Sequence, residues 1–257
     1  MRQLLKFCLS EAVSAWATLS NFSFPSKYTW RWKLDMLTCR YEPETTRLFK
    51  HILKPGMIVV DIGAHIGYFS RLCAKRVGKN GRVFSFEADT ENRALLSKNV
   101  TQYPWVYVSS SAVSNVDGTI SFYHLEGSTG CHTTIKVNGP SEPVYVPAVR
   151  LDTFFEKNSI DRVHVIKMDI EGGEINALHG MTEVLRKKPE LIIEYNPPSL
   201  ARSGASEEAL FDLLRGYGYS IAAITSKGLV PLESPFSISA GALLSTDNSL
   251  NIFCESV

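Results

Sequence analysis

One segment constrains this 257-residue chain more than any other: VVDIGAHIGYFS, residues 59–70. The apolar run 57–61 reads as a buried strand that stops at Asp61. Gly63 and Gly67 then bracket a tight turn into a helix that runs to Val77. Glycine permits positive φ and lets another group approach the backbone. The helix start adds unpaired N–H groups. Strand, glycine turn and helix in this order open a βαβ unit, and open α/β sheets bind ligands at that carboxyl end. The spacing is DxGxxxG, not the GxGxxG of most dinucleotide folds.

The alternation continues downstream. Strands are expected at 82–87, 105–110, 163–168, 190–194 and 219–223, with 251–254 closing the sheet. Helices are expected at 42–53, 90–100, 151–157 and 206–215, and as one run through Ile175, Leu178, Met181, Val184 and Leu185. Strands alternating with helices predict a mostly parallel sheet with helices on both faces. The pattern pauses between 119 and 149, where two strands flank LEGSTGCHTTIKVNGPSEP, read as a β-rich insertion with a mobile tip. Hydrophobic residues make up 44% and charged residues 21%, enough to bury a core and too balanced for disorder.

Two segments are expected: an N-terminal helical and aromatic extension over 1–40 and a main domain over 41–257. Within the extension, Leu5, Leu9, Ala12, Trp16 and Leu19 form one helical stripe. That stripe is expected to dock on the chain's own body, with a membrane surface as the alternative. No apolar run reaches a membrane span. Residues 1–20 imitate a signal peptide, but Glu11 interrupts the apolar stretch, so a cytoplasmic protein is expected. Five scattered cysteines without a CxxC exclude a disulfide framework and a zinc ribbon. The six histidines include no HExxH pair. A net charge of +1 gives no electrostatic case for a nucleic-acid backbone, so no nucleic-acid partner is expected.

The second strand ends in Glu87. A carboxylate there suits a ribose diol and repels a 2′-phosphate. The runs KPGMIVVDIGAHIGYFS, GRVFSFEADTENRALLSKNV and IKMDIEGGEINALHGM together resemble the FkbM family of S-adenosylmethionine-dependent methyltransferases. Its usual forms are roughly DxGANxG, FEP and DxEGxE; this chain has His65 in place of Asn and Ala88 in place of Pro. The resemblance covers about residues 40–195. It implies the class I methyltransferase Rossmann-like fold, a seven-stranded sheet in order 3-2-1-4-5-7-6 with strand 7 antiparallel. It implies that Asp61, Gly63, Ala64, His65 and Gly67 line the methionine end of S-adenosylmethionine, and that Glu87, with Ala88 beside it, holds the ribose. Ser111 and Ala112 would border the adenine, and Tyr41 and Glu42 would fold over the cofactor.

Asp169, Glu171 and Glu174 sit in MDIEGGE at the fourth strand end. Negative charge there offsets a helix dipole, and it also suits a proton acceptor beside a reacting methyl. Asp169 is expected to bound the cofactor pocket, and Glu171 or Glu174 to be the base or the substrate anchor. Glu194 could join Asp169 around a divalent metal, but none is expected. Asn196-Pro197-Pro198 offers an N-methyltransferase alternative, although Ser199 replaces the usual aromatic and the motif follows the fifth strand. An NAD-binding oxidoreductase is the other alternative. Cys131, His124 and His132 at the insertion are weak candidates for substrate contact. His164 reads as a packing residue and His179 as a surface one. The acceptor implied by the resemblance is a hydroxyl of a sugar, glycolipid or secondary metabolite.

Overall fold

The computed structural model describes residues 2–124, 132–136, 142–235 and 249–256. The expected insertion tip, including Cys131, lies outside them. The first strand, β1 (Ile58–Ile62), pairs in parallel with β2 (Arg82–Phe86) on one side and β7 (Val165–Met168) on the other. β3 (Val106–Ser109) flanks β2, and β8 (Glu190–Tyr195) flanks β7, both in parallel. The last strand, β11 (Leu250–Ser256), inserts antiparallel between β8 and β9 (Tyr219–Thr225). The sheet therefore runs in the expected 3-2-1-4-5-7-6 order. An eighth strand, β10 (Gly228–Pro231), extends it as a hairpin on β9, beyond the seven expected. It escaped notice because a four-residue edge strand with one partly buried side chain carries no alternation to read.

Alternation along the strands builds two cores. Val60, Phe84, Ile166 and Ile193 join one apolar cluster, and their neighbours Val59, Val83, Val165 and Ile192 join the other. α7 (Glu174–His179), α8 (Thr182–Arg186) and α10 (Glu207–Gly216) pack against the first. α3 (Pro43–Ile52) and α4 (Tyr68–Val77) pack against the second. α5 (Thr90–Val100) follows β2, and α6 (Leu151–Lys157) precedes β7. The single helix expected over 175–185 is two, broken at Gly180. A Cβ on Gly180 would stand 1.9 Å from the Ser114 carbonyl oxygen, so the chain bends where it passes that backbone. The insertion forms a separate sheet in order β4-β6-β5, from Ala112–Val113, Val144–Val149 and Gly118–Phe122. A bridge between Tyr123 and Thr133 continues it.

The N-terminal segment contains α1 (Arg2–Leu19) and α2 (Trp30–Leu37), which pack together. Phe22 and Met36 enter the second core. Arg71 reaches from α4 to the Ser20 and Asn21 carbonyls and stacks on Phe22. The stripe on α1 requires a correction. Val13 and Ala17 are the buried residues, while Leu9, Ala12, Trp16 and Leu19 are exposed; Leu5 lies among the side chains not described. With Val13 and Ala17 as its buried positions, the helix turns its apolar stripe outward rather than onto the body. No helix among the described residues is long and apolar enough to cross a membrane.

Candidate functional site

The parity that divides the cores also assembles the polar groups. Asp61 lies two residues beyond Val59, Ser85 and Glu87 follow Val83, Lys167 and Asp169 follow Val165, and Glu194 follows Ile192. Successive side chains on a strand alternate faces, so all six belong to the α4 side of the sheet. Asp61 is in register with Ser85 on one neighbour and Lys167 on the other. At the carboxyl ends of these strands lies a crevice of about 450 Å³.

On the β1–β2 bank the turn is shaped by its backbone. A Cβ on Gly63 would stand 1.8 Å from the Asp169 carbonyl oxygen, so only glycine lets β1 and β7 close there. The amides of Gly63 and Ala64 both donate to the Phe86 carbonyl. His65 has φ of 51°, a left-handed conformation in which Asn and His are enriched, which accounts for its standing in for Asn. Its N–H donates to Glu87 Oε2 at 2.7 Å, and the Asp89 N–H donates to Oε1 at 2.9 Å. Burial still pushes the Glu87 carboxyl up to about 7. Asp61 Oδ2 accepts from the Ser70 hydroxyl at 2.6 Å. Its Oδ1 is buried without a hydrogen-bond partner in the protein, and burial raises its pKa. Burial holds His65 neutral, with a pKa lowered to about 4.

The β7–β8 bank is balanced by side chains. Lys167, 3% exposed, places Nζ 3.1 Å from Asp169 Oδ2 and above the Phe69 ring. Burial works against its ammonium, but Asp169, Asp61 and Glu42 hold it charged, with a pKa above the usual lysine range. Asp169 and Glu194 share a hydrogen bond. Lys167 keeps Asp169 ionised against the cost of burial. Repulsion from Asp169, with burial second, pushes Glu194 up to about 10, so Glu194 carries the proton at neutral pH. Glu171, at φ of 53°, accepts from the Ser199 hydroxyl at 2.9 Å and faces Arg202 at 4.0 Å. One oxygen each of Asp169, Glu171 and Glu194 lie within 4.8 Å of one another.

Asp61, Gly63, Ala64, His65, Glu87, Ala88, Ser111, Ala112, Asp169 and Glu171 all line the crevice. Gly67 does not. It stands behind the turn as the left-handed N-cap of α4, where a Cβ would meet Leu96 at 2.6 Å. Glu174 does not either. It is 3% exposed, and its Oε1 accepts the Gly172 N–H at 3.2 Å and the Ile170 N–H at 3.4 Å, bracing the turn from behind. Asn196 spends its side-chain oxygen on the Ser199 N–H, capping the short helix α9 (Pro197–Arg202), and lies outside the lining. His164 Nδ1 accepts the Ile58 N–H and His179 is exposed, as expected of packing and surface residues. Tyr41 and Glu42 reach the crevice, and Asn251 holds Glu42 at 2.7 Å.

Lys167 was missed, although a lysine inside the apolar run VHVIKM, two residues before Asp169, carried a signal. Period-two alternation puts it on Asp169's face, and a buried lysine requires a carboxylate partner. Tyr28 and Trp32 also line the crevice; their rings stand 5.4 Å apart, and Trp32 lies 6.2 Å from Tyr41. Nothing in the irregular sequence 21–43 pointed them there.

Strand order, the inserted antiparallel β11 and a ligand-sized crevice at the β1 switch point define the class I methyltransferase fold. A protein of Clostridium thermocellum described as an rRNA methylase superposes with a TM-score of 0.50 at 12% identity, covering 84% of this chain and 95% of that one. The family model for the methyltransferase FkbM domain matches residues 61–221. The chain belongs to the FkbM methyltransferase family. Among its relatives, the hexuronic acid methyltransferase AglP of Haloferax volcanii is 25% identical over 164 residues, 63% of this chain. The match spans 65% of AglP, slightly under two thirds of its length. The 2-O-methyltransferase NoeI of Sinorhizobium fredii is 23% identical over 182 residues, covering 64% of this chain and 73% of that protein.

Proposed function

We propose that this protein transfers a methyl group from S-adenosylmethionine to a neutral hydroxyl of a sugar or a sugar-like metabolite. The observation that carries the choice of acceptor is the charge of the crevice. Glu42, Asp169, Glu171 and Glu194 surround the β7–β8 end, with Lys167 already engaged by Asp169. A carboxylate acceptor would add negative charge to that cluster. A hydroxyl would bring a proton that the cluster can take. AglP is named for a hexuronic acid and NoeI for a 2-O position; the charge favours the second kind of acceptor here.

The crevice fits the cofactor. The orphaned Asp61 Oδ1 offers a buried acceptor at the crevice lining. Each Glu87 oxygen has capacity to accept a ribose hydroxyl besides its backbone N–H. Asp61, Gly63, Ala64 and His65 hold the amino-acid end, Glu87 and Ala88 the ribose, and Ser111 and Ala112 the adenine. When bound, the sulfonium supplies an electrophilic methyl group. Asp169 and protonated Glu194 orient the acceptor, and Glu171 receives the hydroxyl proton. Positioning of this kind supplies much of the rate in displacement at carbon. Exposed Trp32 and half-buried Tyr28, both on the crevice lining, suit the C–H face of a sugar. Glu174 and Gly67 serve the scaffold.

The reading is metal-free at Asp169, Glu171 and Glu194, because the Lys167 ammonium stands 3.1 Å from Asp169 Oδ2, where a cation would otherwise sit. Residues 1–40 supply the acceptor wall, and 41–257 the transferase domain. A screen of neutral sugars and uronates with S-adenosylhomocysteine release as readout tests the proposal. Turnover with hydroxyl acceptors, unchanged by added magnesium, is expected. Release with uronates alone would overturn the acceptor assignment, and failure to bind S-adenosylhomocysteine would overturn the cofactor.

A further inference from the structure

A second constellation lies where the insertion meets the start of α5, and its His132 lines the crevice at the Glu87 end. The Tyr123–Thr133 pair exchanges two backbone hydrogen bonds, at 2.8 and 3.1 Å. In an antiparallel register His124 and His132 are then directly opposed, the arrangement that brings side chains into contact across a ladder. Their rings stand 4.6 Å apart. Asp89 approaches from the start of α5, on a different element and 4% exposed. Its two oxygens have separate tasks. Oδ1 accepts the Asn92 N–H at 2.7 Å and caps the helix. Oδ2 turns to His124 Nδ1 at 3.6 Å.

That separation is too long for a hydrogen bond. It is close to the spacing of about 3.4 Å that two ligands of a tetrahedral zinc keep when each bond is about 2.0–2.1 Å. One donor atom from each of Asp89, His124 and His132 lies within 4.8 Å of the others. Phe122, buried, presents its ring edge-on to both imidazoles and forms an apolar backing. Two imidazoles and a carboxylate are the donor set of a borderline divalent metal rather than of magnesium or calcium.

We propose that Asp89, His124 and His132 bind a zinc ion that staples the β-insertion to the start of α5, with water completing the tetrahedron. The ion sits beside the proposed ribose residue Glu87 rather than at the acceptor end, so its role is to fasten the crevice wall. This proposal does not depend on the identity of the acceptor.

The untagged 257-residue chain is titrated with zinc by calorimetry and, separately, with cobalt by visible absorption. One equivalent of zinc, tetrahedral cobalt bands and a higher melting temperature with zinc are expected. Loss of an outer-shell partner alone costs about 10–100-fold in affinity, so His124→Asn and His132→Asn should each weaken zinc by at least about tenfold. Asp89→Asn should weaken it likewise, since Asn preserves the helix cap while removing the charge. His124 is half exposed, so its variant should fold as the wild type does, checked by its metal-free melt. No binding by the wild type, or equally tight binding by His124→Asn, would overturn the site. The latter result would place any zinc elsewhere, at the exposed Cys8 and Cys39 or the Asp169 cluster.

Discussion

The two banks of the crevice hold buried carboxylates in different ways. On the β1–β2 bank, Glu87 is met by two backbone amides and Asp61 by a hydroxyl. These hydrogen-bond partners are neutral, although Asp61 also feels the Lys167 ammonium, and the Glu87 amides are fixed by the turn, so the Glu87 end of this bank is a shaped receptacle. On the β7–β8 bank, Asp169 is met by an ammonium and by a protonated neighbour. Those partners carry charge and protons that a reaction can use. A fold can therefore separate holding a ligand from acting on it by choosing whether backbone or side chains satisfy its acids.

The largest test of that contrast is Lys167→Met. Removing one partner of a buried ion pair leaves uncompensated charge, so a loss of about 3–5 kcal/mol in urea-measured stability is expected. Stability within error of wild type would mean that Asp169 does not need the lysine. Next is Glu171→Gln, which should lower kcat by about 10²-fold, the loss typical of a general base, with cofactor affinity unchanged. Near-wild-type turnover would remove Glu171 from the chemistry. Glu87→Gln should do the reverse. Hydrogen bonds to charged groups are worth about 1.5–3 kcal/mol, so cofactor Kd should rise by about tenfold or more while kcat at saturation holds. If kcat falls instead, the banks do not divide the work.

The smallest effect sharpens the proton's place. In the unfolded chain Glu194 titrates near the ordinary carboxyl value of 4.5, and in the fold near 10. Below the first value both states are protonated and folding carries no penalty. As pH rises between the two, the folded chain keeps a proton that the unfolded chain has released, and stability falls. Glu194→Gln keeps an amide donor toward Asp169 and has no proton to lose. It should match wild type in mildly acid melts and exceed it increasingly toward alkaline pH. Parallel pH profiles for the two proteins would show that Glu194 is not the proton holder.

The sequence by itself determined the alternation of strands and helices, the glycine turn and the ends of most central elements; the sheet order was implied only by the family resemblance. Those features are local: two-residue alternation, a glycine where a Cβ would strike the next strand, and a helix start after each strand. It carried the family through three motifs in order. It also placed Asp61, Glu87 and Asp169 at strand ends, because parity and strand length are written in the chain. What it left open was which acids act and which brace. Glu171 and Glu174 are three residues apart, and only the positive φ at Glu171 and the Gly172 turn send one to the crevice and the other behind it. The outward-facing stripe of α1, the aromatic wall from Tyr28 to Tyr41, the Asn251 contact to Glu42 and the meeting of Asp89 with two histidines were likewise decided by tertiary structure. Each depends on segments far apart in sequence converging, and local periodicity holds no record of which distant surface a side chain will meet.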